Sequence, residues 1–145
     1  MIYKKSWKYI LKKDNSYLCK YLVFYRIKSL KTFGKILKGD IGGYIQHYYN
    51  LSQKGNCWVY NDALISENAR ISRNAQVSGS AQVFGRAQVT DNAVVTDHTS
   101  VFGLAEISGS AQVYGNAKVS GNSRVCNNAH VTGNTIVKGY MVVNG

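Results

Sequence analysis

Between Cys57 and Val143 an aliphatic residue falls at every sixth position without interruption. Val59, Ile65, Ile71, Val77, Val83, Val89, Val95, Val101, Ile107, Val113, Val119, Val125, Val131, Val137 and Val143 mark fifteen hexads, and a small residue sits two places before nearly all of them. A period of six scrambles the face of an α-helix but repeats naturally as a short strand and a turn. Residues two apart on a strand share a side, so the small and the aliphatic side chains point inward together and their neighbours point out. Two places after the aliphatic residue Gly recurs, at 79, 85, 103, 109, 115, 121, 133, 139 and 145. Gly adopts left-handed backbone at little cost, which predicts a corner at the end of each hexad.

Residues 1–56 lack this period. Ser6 to Leu11 and Tyr17 to Ile27 are rich in Tyr, Val, Ile and Leu around the polar run Lys13-Asp14-Asn15-Ser16, which predicts a β-hairpin turning at that run. Ser29 to Lys38 fits either a short helix or a strand, with Gly34 weakening the helix. Gly39 to Gly43 reads as a turn, and Tyr44 to Tyr49 as a short strand leading toward the first hexad.

The run V-S-G-S-A-Q-V-F-G-R-A-Q-V, residues 77–89, resembles the hexapeptide-repeat left-handed β-helix (trimeric LpxA-like) superfamily. The resemblance implies an all-β fold in which three hexads make one triangular coil, hence about five coils stacked roughly 4.8 Å apart. One departure is that Gly here stands one position later than in the enzymes of that family. Y-R-I-K-S-L-K-T-F-G-K-I-L-K-G-D-I-G-G-Y-I, residues 25–45, followed by N-L-S-Q-K-G-N-C-W-V-Y, residues 50–60, resembles the opening of YdcK-type bacterial and prophage proteins. That likeness implies a β-rich head over the first coil. The expected division is a basic, aromatic-rich head or cap at 1–56 and the repeat at 57–145.

Charge divides the chain at the same place. The net charge is +11. Residues 1–56 hold eleven lysines and Arg26 against Asp14 and Asp40, giving +10, and the repeat is close to neutral. Cys19, Cys57 and Cys126 show no metal spacing, and an odd number argues against a disulfide framework; Cys57 occupies a core slot and is expected to be a buried thiol. No apolar run reaches the length of a signal peptide core or a membrane span, so a cytoplasmic protein away from the membrane is expected.

An exposed first coil would leave strand edges unpaired, so the head is expected to cover it. The head also carries candidates for an anionic partner: Lys4, Lys5, Lys8, Lys12, Lys13, Lys20, Arg26, Lys28, Lys31, Lys35 and Lys38, interleaved with Tyr and Trp. Cations neutralise phosphates and aromatic faces stack bases, which makes nucleic acid one candidate partner beside a protein; no specific nucleic-acid motif accompanies them. The resemblance also raises acyltransferase chemistry with acetyl-coenzyme A, where a histidine works at a subunit seam. His98 and His130 are the candidates for it, and no metal or cofactor site is expected, since a zinc site needs three converging ligands. P-loop, nucleophile-elbow and dinucleotide fingerprints are absent.

The prism's three outer faces differ. One should carry Leu64, Phe84, Phe102 and Ile136, with the two phenylalanines eighteen residues apart and stacked in register. A second carries Trp58, Tyr60, Val94 and Tyr114, and the third is polar. Phe84, Phe102, Ile136, Tyr140 and Val142 are the expected oligomer contacts, through either an end-to-end dimer or a lateral trimer. The reading as a whole is a non-enzymatic interaction protein, phage or mobile-element encoded, that binds or sequesters a host component such as a defence factor or nucleic acid. An acyltransferase is the alternative.

Overall fold

The computed structural model of the chain describes residues 7–19 and 21–145. Three strands form the head: β1 (Tyr9–Cys19), β2 (Leu22–Ser29) and β3 (Ile41–Ile45). Fifteen short strands follow, one per hexad, from β4 (Trp58–Val59) to β18 (Val142–Asn144). The result is an all-β parallel solenoid. Its strands sort into three sheets, the faces of the prism, in which each residue pairs with the one eighteen places on, as Ser100 does with Lys118 and Val94 with Gln112.

Each hexad contributes its aliphatic and its small residue to one continuous core. Val59, Ile65, Val77, Val83, Val95 and Val101 are fully buried, as are Ala63, Ala75, Ala87 and Ala105. Backbone groups that leave one coil are taken up by the next: the Phe84 N–H donates to the Val101 carbonyl at 3.0 Å and the Phe102 N–H to the Val119 carbonyl at 2.9 Å. Stacking therefore satisfies the peptide groups that two-residue strands could not satisfy within a coil.

Corners fall where the repeat puts them, two places after the aliphatic residue, with φ between 56° and 61° at Asn61, Glu67, Arg73, Asp91, Asp97 and Asn127 and similar values at the intervening glycines. A non-glycine residue there costs roughly 1–2 kcal/mol. Several of these side chains repay that by reaching the next coil: Asp91, Asp97, Glu67 and Asn61 accept hydrogen bonds from the N–H of Gly109, Gly115, Gly85 and Gly79 at 2.8–3.0 Å.

The solenoid has about six turns rather than five, because the head supplies the start of an extra coil. β3 pairs in parallel with Leu64 and Ile65, and Leu51 bridges to Ile71, so two sides of a coil precede the first hexad. The head differs from expectation in three further places. The hairpin is present, but it reverses between Cys19 and Leu22, and Lys13 to Asn15 form a bulge where the partner of Lys12 is Arg26 and that of Ser16 is Tyr25. Ser29 ends β2, and residues 30–38 form neither helix nor strand; a tight turn bridges Phe33 and Ile36, with Gly34 at φ 50°. Gly42 and Gly43 belong to β3, not to a turn, and the 3-10 turn Tyr48–Asn50 stands where a strand was expected. A Cβ on Gly42 would lie 2.5 Å from the Val59 carbonyl oxygen and 2.6 Å from Cγ1 of Ile27, so the missing side chain lets β2, β3 and the first coil pack against each other.

Val101 tests the register. Its side chain has no exposure, and Val101→Asp would place an unpaired carboxylate in that column at a cost of several kcal/mol. The variant is expected to lose its cooperative thermal transition by circular dichroism or to aggregate; a melt like that of the wild type would show the inward assignment to be wrong.

Candidate functional site

The partial coil of the head covers only two sides of the first hexad coil, and at the side it leaves open the carbonyls are met by a buried side chain, Lys8. Lys8 is 1% exposed. Its Nζ donates to the Cys57 carbonyl at 2.9 Å, lies 3.3 and 3.4 Å from those of Gly55 and Lys54, sits 3.3 Å from the Cys57 Sγ, and is 4.9 Å from the Phe33 ring centre. The expectation that Lys8 faces an anionic partner is therefore corrected: orphan carbonyls at the open end of the stack draw the ammonium inward. Burial lowers the Lys8 pKa and raises that of the Cys57 thiol.

Other buried polar groups complete the plug. Gln53 Oε1 accepts from the Lys8 and Tyr9 N–H groups at 2.6 and 3.2 Å. The Tyr9 hydroxyl donates to the Leu51 carbonyl at 2.5 Å. Asn50 Oδ1 accepts from the His47 N–H at 2.7 Å while its Nδ2 donates to the Ala69 carbonyl at 2.9 Å. Above them Tyr9 and Phe33 meet Trp58 edge-on, with ring centres 6.2 and 5.4 Å apart. No period in the sequence marks Asn50 and Gln53, and the sequence pattern gives Lys8 a different role; the signal would have been a need to terminate the stack.

Arg26 is also engaged. Its guanidinium donates to the Asn61 carbonyl at 2.7 Å and Asp62 at 2.9 Å and lies 4.2 Å from the Tyr44 ring centre, latching β2 to the first corner. Lys13, Lys28, Lys31, Lys35 and Lys38 are exposed and Lys12 is half-buried. Lys4, Lys5 and Lys20 lie outside the described residues.

Near the hairpin tip a cleft of about 430 Å³ opens between the hairpin and the segment after β3. Lys13, Tyr21, Tyr25, Gln46, His47 and Tyr48 line it, over Leu11 and Val23. Tyr21 is 99% exposed and holds φ at 72°, so an aromatic ring stands in water on a strained residue. Beside the cleft His47 stacks on Tyr49 at 4.8 Å and 17°, and the Arg70 guanidinium lies 5.6 Å from the Tyr49 ring centre. Planar rings, a cation and amide groups converge there. The sequence offers Lys13 and the tyrosines of the head as candidates but not their meeting with Gln46 and His47 at one place, which the bulge and the late reversal of the hairpin bring about.

The two histidines stay apart. His98 sits at a corner beside a hollow of about 320 Å³ bordered by Gly79, Ser80, Asp97, Gly115 and Asn116. The Asp97 carboxylate accepts from the Gly115 N–H at 3.0 Å, which gives it a structural use. His130 stands on a flat face, edge-on to Tyr114 at 6.4 Å. Among the described residues no three His, Cys, Asp or Glu side chains cluster to hold a metal, and no helix is long and apolar enough to cross a membrane. Phe84 and Phe102 stack in register at 5.0 Å and 4°. Ile136, Tyr140 and Val142 are exposed, Tyr140 at 83%.

A family model described as YdcK beta solenoid repeat matches residues 111–127. That match and the parallel solenoid fit a YdcK-type hexapeptide-repeat β-helix. No curated protein matches the chain.

The plug has a pH signature. A lysine whose pKa is lowered by folding binds less proton in the native state than in the unfolded one, so stability rises with pH below the unfolded value of 10.5. Relative to Lys8→Met, the wild type is expected to gain stability as pH climbs from neutral toward 10, read as the difference between urea midpoints at each pH. A difference that stays flat or falls would contradict the buried placement.

Proposed function

We propose, on the premise of a YdcK-type hexapeptide-repeat scaffold, that the chain is a binding module whose head captures an anionic macromolecule while the solenoid serves as a rigid mount. The observation that carries this reading is Tyr21, fully exposed at a positive φ over a cleft holding Lys13, Tyr25, His47 and Tyr48. An aromatic ring held in water gives up burial, and a strained backbone persists only where its surroundings enforce it. Stacking on such rings contributes about 1–3 kcal/mol per base and tolerates any base, and the exposed lysines of the head neutralise phosphates. Single-stranded nucleic acid is therefore the ligand class this surface suits best, with an acidic protein surface as the competing partner. The resemblance to prophage proteins supports a mobile-element factor that sequesters a host component.

An acyltransferase is the second reading, favoured by the glycine-flanked hollow at His98. Self-association through Phe84 and Phe102, or through Ile136, Tyr140 and Val142, belongs to the same proposal, since one chain alone leaves these side chains facing outward. Light-scattering mass on the wild type and on Tyr140→Asp with Val142→Asp separates the two contacts: an oligomer that survives the double change lies on the Phe84 face, and a monomeric wild type ends the proposal.

Fluorescence anisotropy with a labelled single-stranded oligonucleotide tests the head. Binding is expected to weaken steeply with salt, with a logarithmic slope of about −0.7 for each phosphate contacted. Lys13→Glu with Lys28→Glu and Lys35→Glu should weaken it at least tenfold and flatten that slope, and Tyr21→Ala should weaken it without changing the slope. Saturable binding of acetyl-coenzyme A with no binding of the oligonucleotide would favour the enzyme.

A further inference from the structure

Lys8 and Cys57 are forty-nine residues apart in sequence and in contact in the plug. The Lys8 Nζ stands 3.3 Å from the Cys57 Sγ, with the amine 1% exposed and the thiol fully buried. The amine cannot swing away, because its bond to the Cys57 carbonyl at 2.9 Å and the Phe33 ring above it fix its position. Among the described residues the other hydrogen-bond neighbours of the thiol are the carbonyls of Ser52, Lys54 and Ile71 at 3.6–3.8 Å, and the lysine is the nucleophile beside it. The Cys126 Sγ, by contrast, lies 3.8 Å from the Val143 carbonyl.

We propose that Lys8 and Cys57 form an oxidisable pair that closes into a covalent Nζ–O–Sγ bridge, locking the head onto the first coil. Dioxygen is the oxidant. It is small and apolar enough to enter a packed interior that excludes ionic oxidants. In the closing step the neutral amine loses one N–H and the thiol its S–H. One oxygen atom is inserted between nitrogen and sulfur, and the other leaves as water with the two hydrogens. Nitrogen and sulfur give up two electrons each, and dioxygen takes the four. Before the step the Lys8 ammonium releases its proton to solvent, which the desolvation of the site favours. At the observed separation an inserted oxygen spans the gap with less movement than a direct nitrogen–sulfur bond would need.

The bridge would tie β1 to the entrance of the first hexad and close a long loop. Constraining a loop of that kind reduces the freedom of the unfolded chain, as a disulfide does. The plug then exists in two forms, an open one held by hydrogen bonds and a closed one held by bonds that thiol reductants can cleave. Since the plug supports the hairpin and its cleft, oxidation would set how firmly the head is docked.

The test is intact-mass spectrometry of the full chain after air equilibration, against a sample kept anaerobic with dithiothreitol. The expected product carries one added oxygen and lacks two hydrogens, yields a peptide cross-linked between Lys8 and Cys57, resists tryptic cleavage after Lys8, melts higher than the reduced form and reverts on reduction. Cys57→Ser should abolish the product while leaving Cys19 and Cys126 alkylated as before. Because Lys8→Met could loosen the plug, the cross-linked peptide of the wild type is the deciding readout. A mass equal to one added oxygen with no loss of hydrogen, a loss of two hydrogens with no oxygen, a disulfide through Cys57, or an unchanged chain would each overturn the proposal.

Discussion

Every turn of this solenoid must return the backbone to the same three corners after eighteen residues, because the peptide groups of one coil find their partners only in the next. That single condition dictates the rest. It fixes which residue points inward, it demands left-handed backbone at each corner, and it stacks Phe84 on Phe102. It also creates a problem that no member of the stack can solve. The head's backbone reaches the first coil on two sides only, which leaves carbonyls such as that of Cys57 without a backbone partner, and a buried unpaired polar group costs about as much as the bond it fails to make. Lys8, Asn50, Gln53 and Tyr9 exist in the structure as the answer to that problem.

The repeat was legible because each hexad repeats one local rule, and fifteen repetitions leave no competing register. Corners at Glu67, Arg73 and Asp97 were legible by position even though these residue types seldom adopt positive φ, since their neighbours in the column carry Gly. The head was legible only in outline. A hairpin was expected around Lys13 to Ser16 because the polar residues lie there, yet strand pairing carries on to Cys19 and Leu22, and the polar residues are absorbed as a bulge. Pairing with β2 outweighed local turn chemistry. Gly42 and Gly43 read as a turn for the same reason, whereas close approach of Val59 and Ile27 is what requires them. The cleft was not legible at all, because Lys13, Tyr21, His47 and Tyr48 meet only once the hairpin length and the 3-10 turn are known.

Charge in the head has two uses that a count merges. Lys8 and Arg26 hold the fold: one plugs the carbonyls of the open coil, and the other bridges β2 to Asp62 at the first corner. Of the lysines that lie outside these roles, Lys13 lines the cleft beside a strained and solvated tyrosine, while Lys28 is exposed at the opposite end of β2. A surface salt bridge of the Arg26 kind contributes little by itself, but here the same guanidinium also satisfies two carbonyls and covers Tyr44, which fixes the angle at which the hairpin leaves the solenoid.

The eighteen-residue register also makes the solenoid a device with phase. Removing residues 91–108 would shorten the stack by one turn and leave every later side chain on its own face. Removing a single hexad would preserve the core and the corners, yet rotate everything after it by one third of a turn, so that Lys118 and Ile136 moved to a different side of the prism. Length and facing are thus inherited separately. A lineage of such chains can lengthen or shorten by whole turns without touching the head, and can re-aim its far end by one hexad without redesigning its interior.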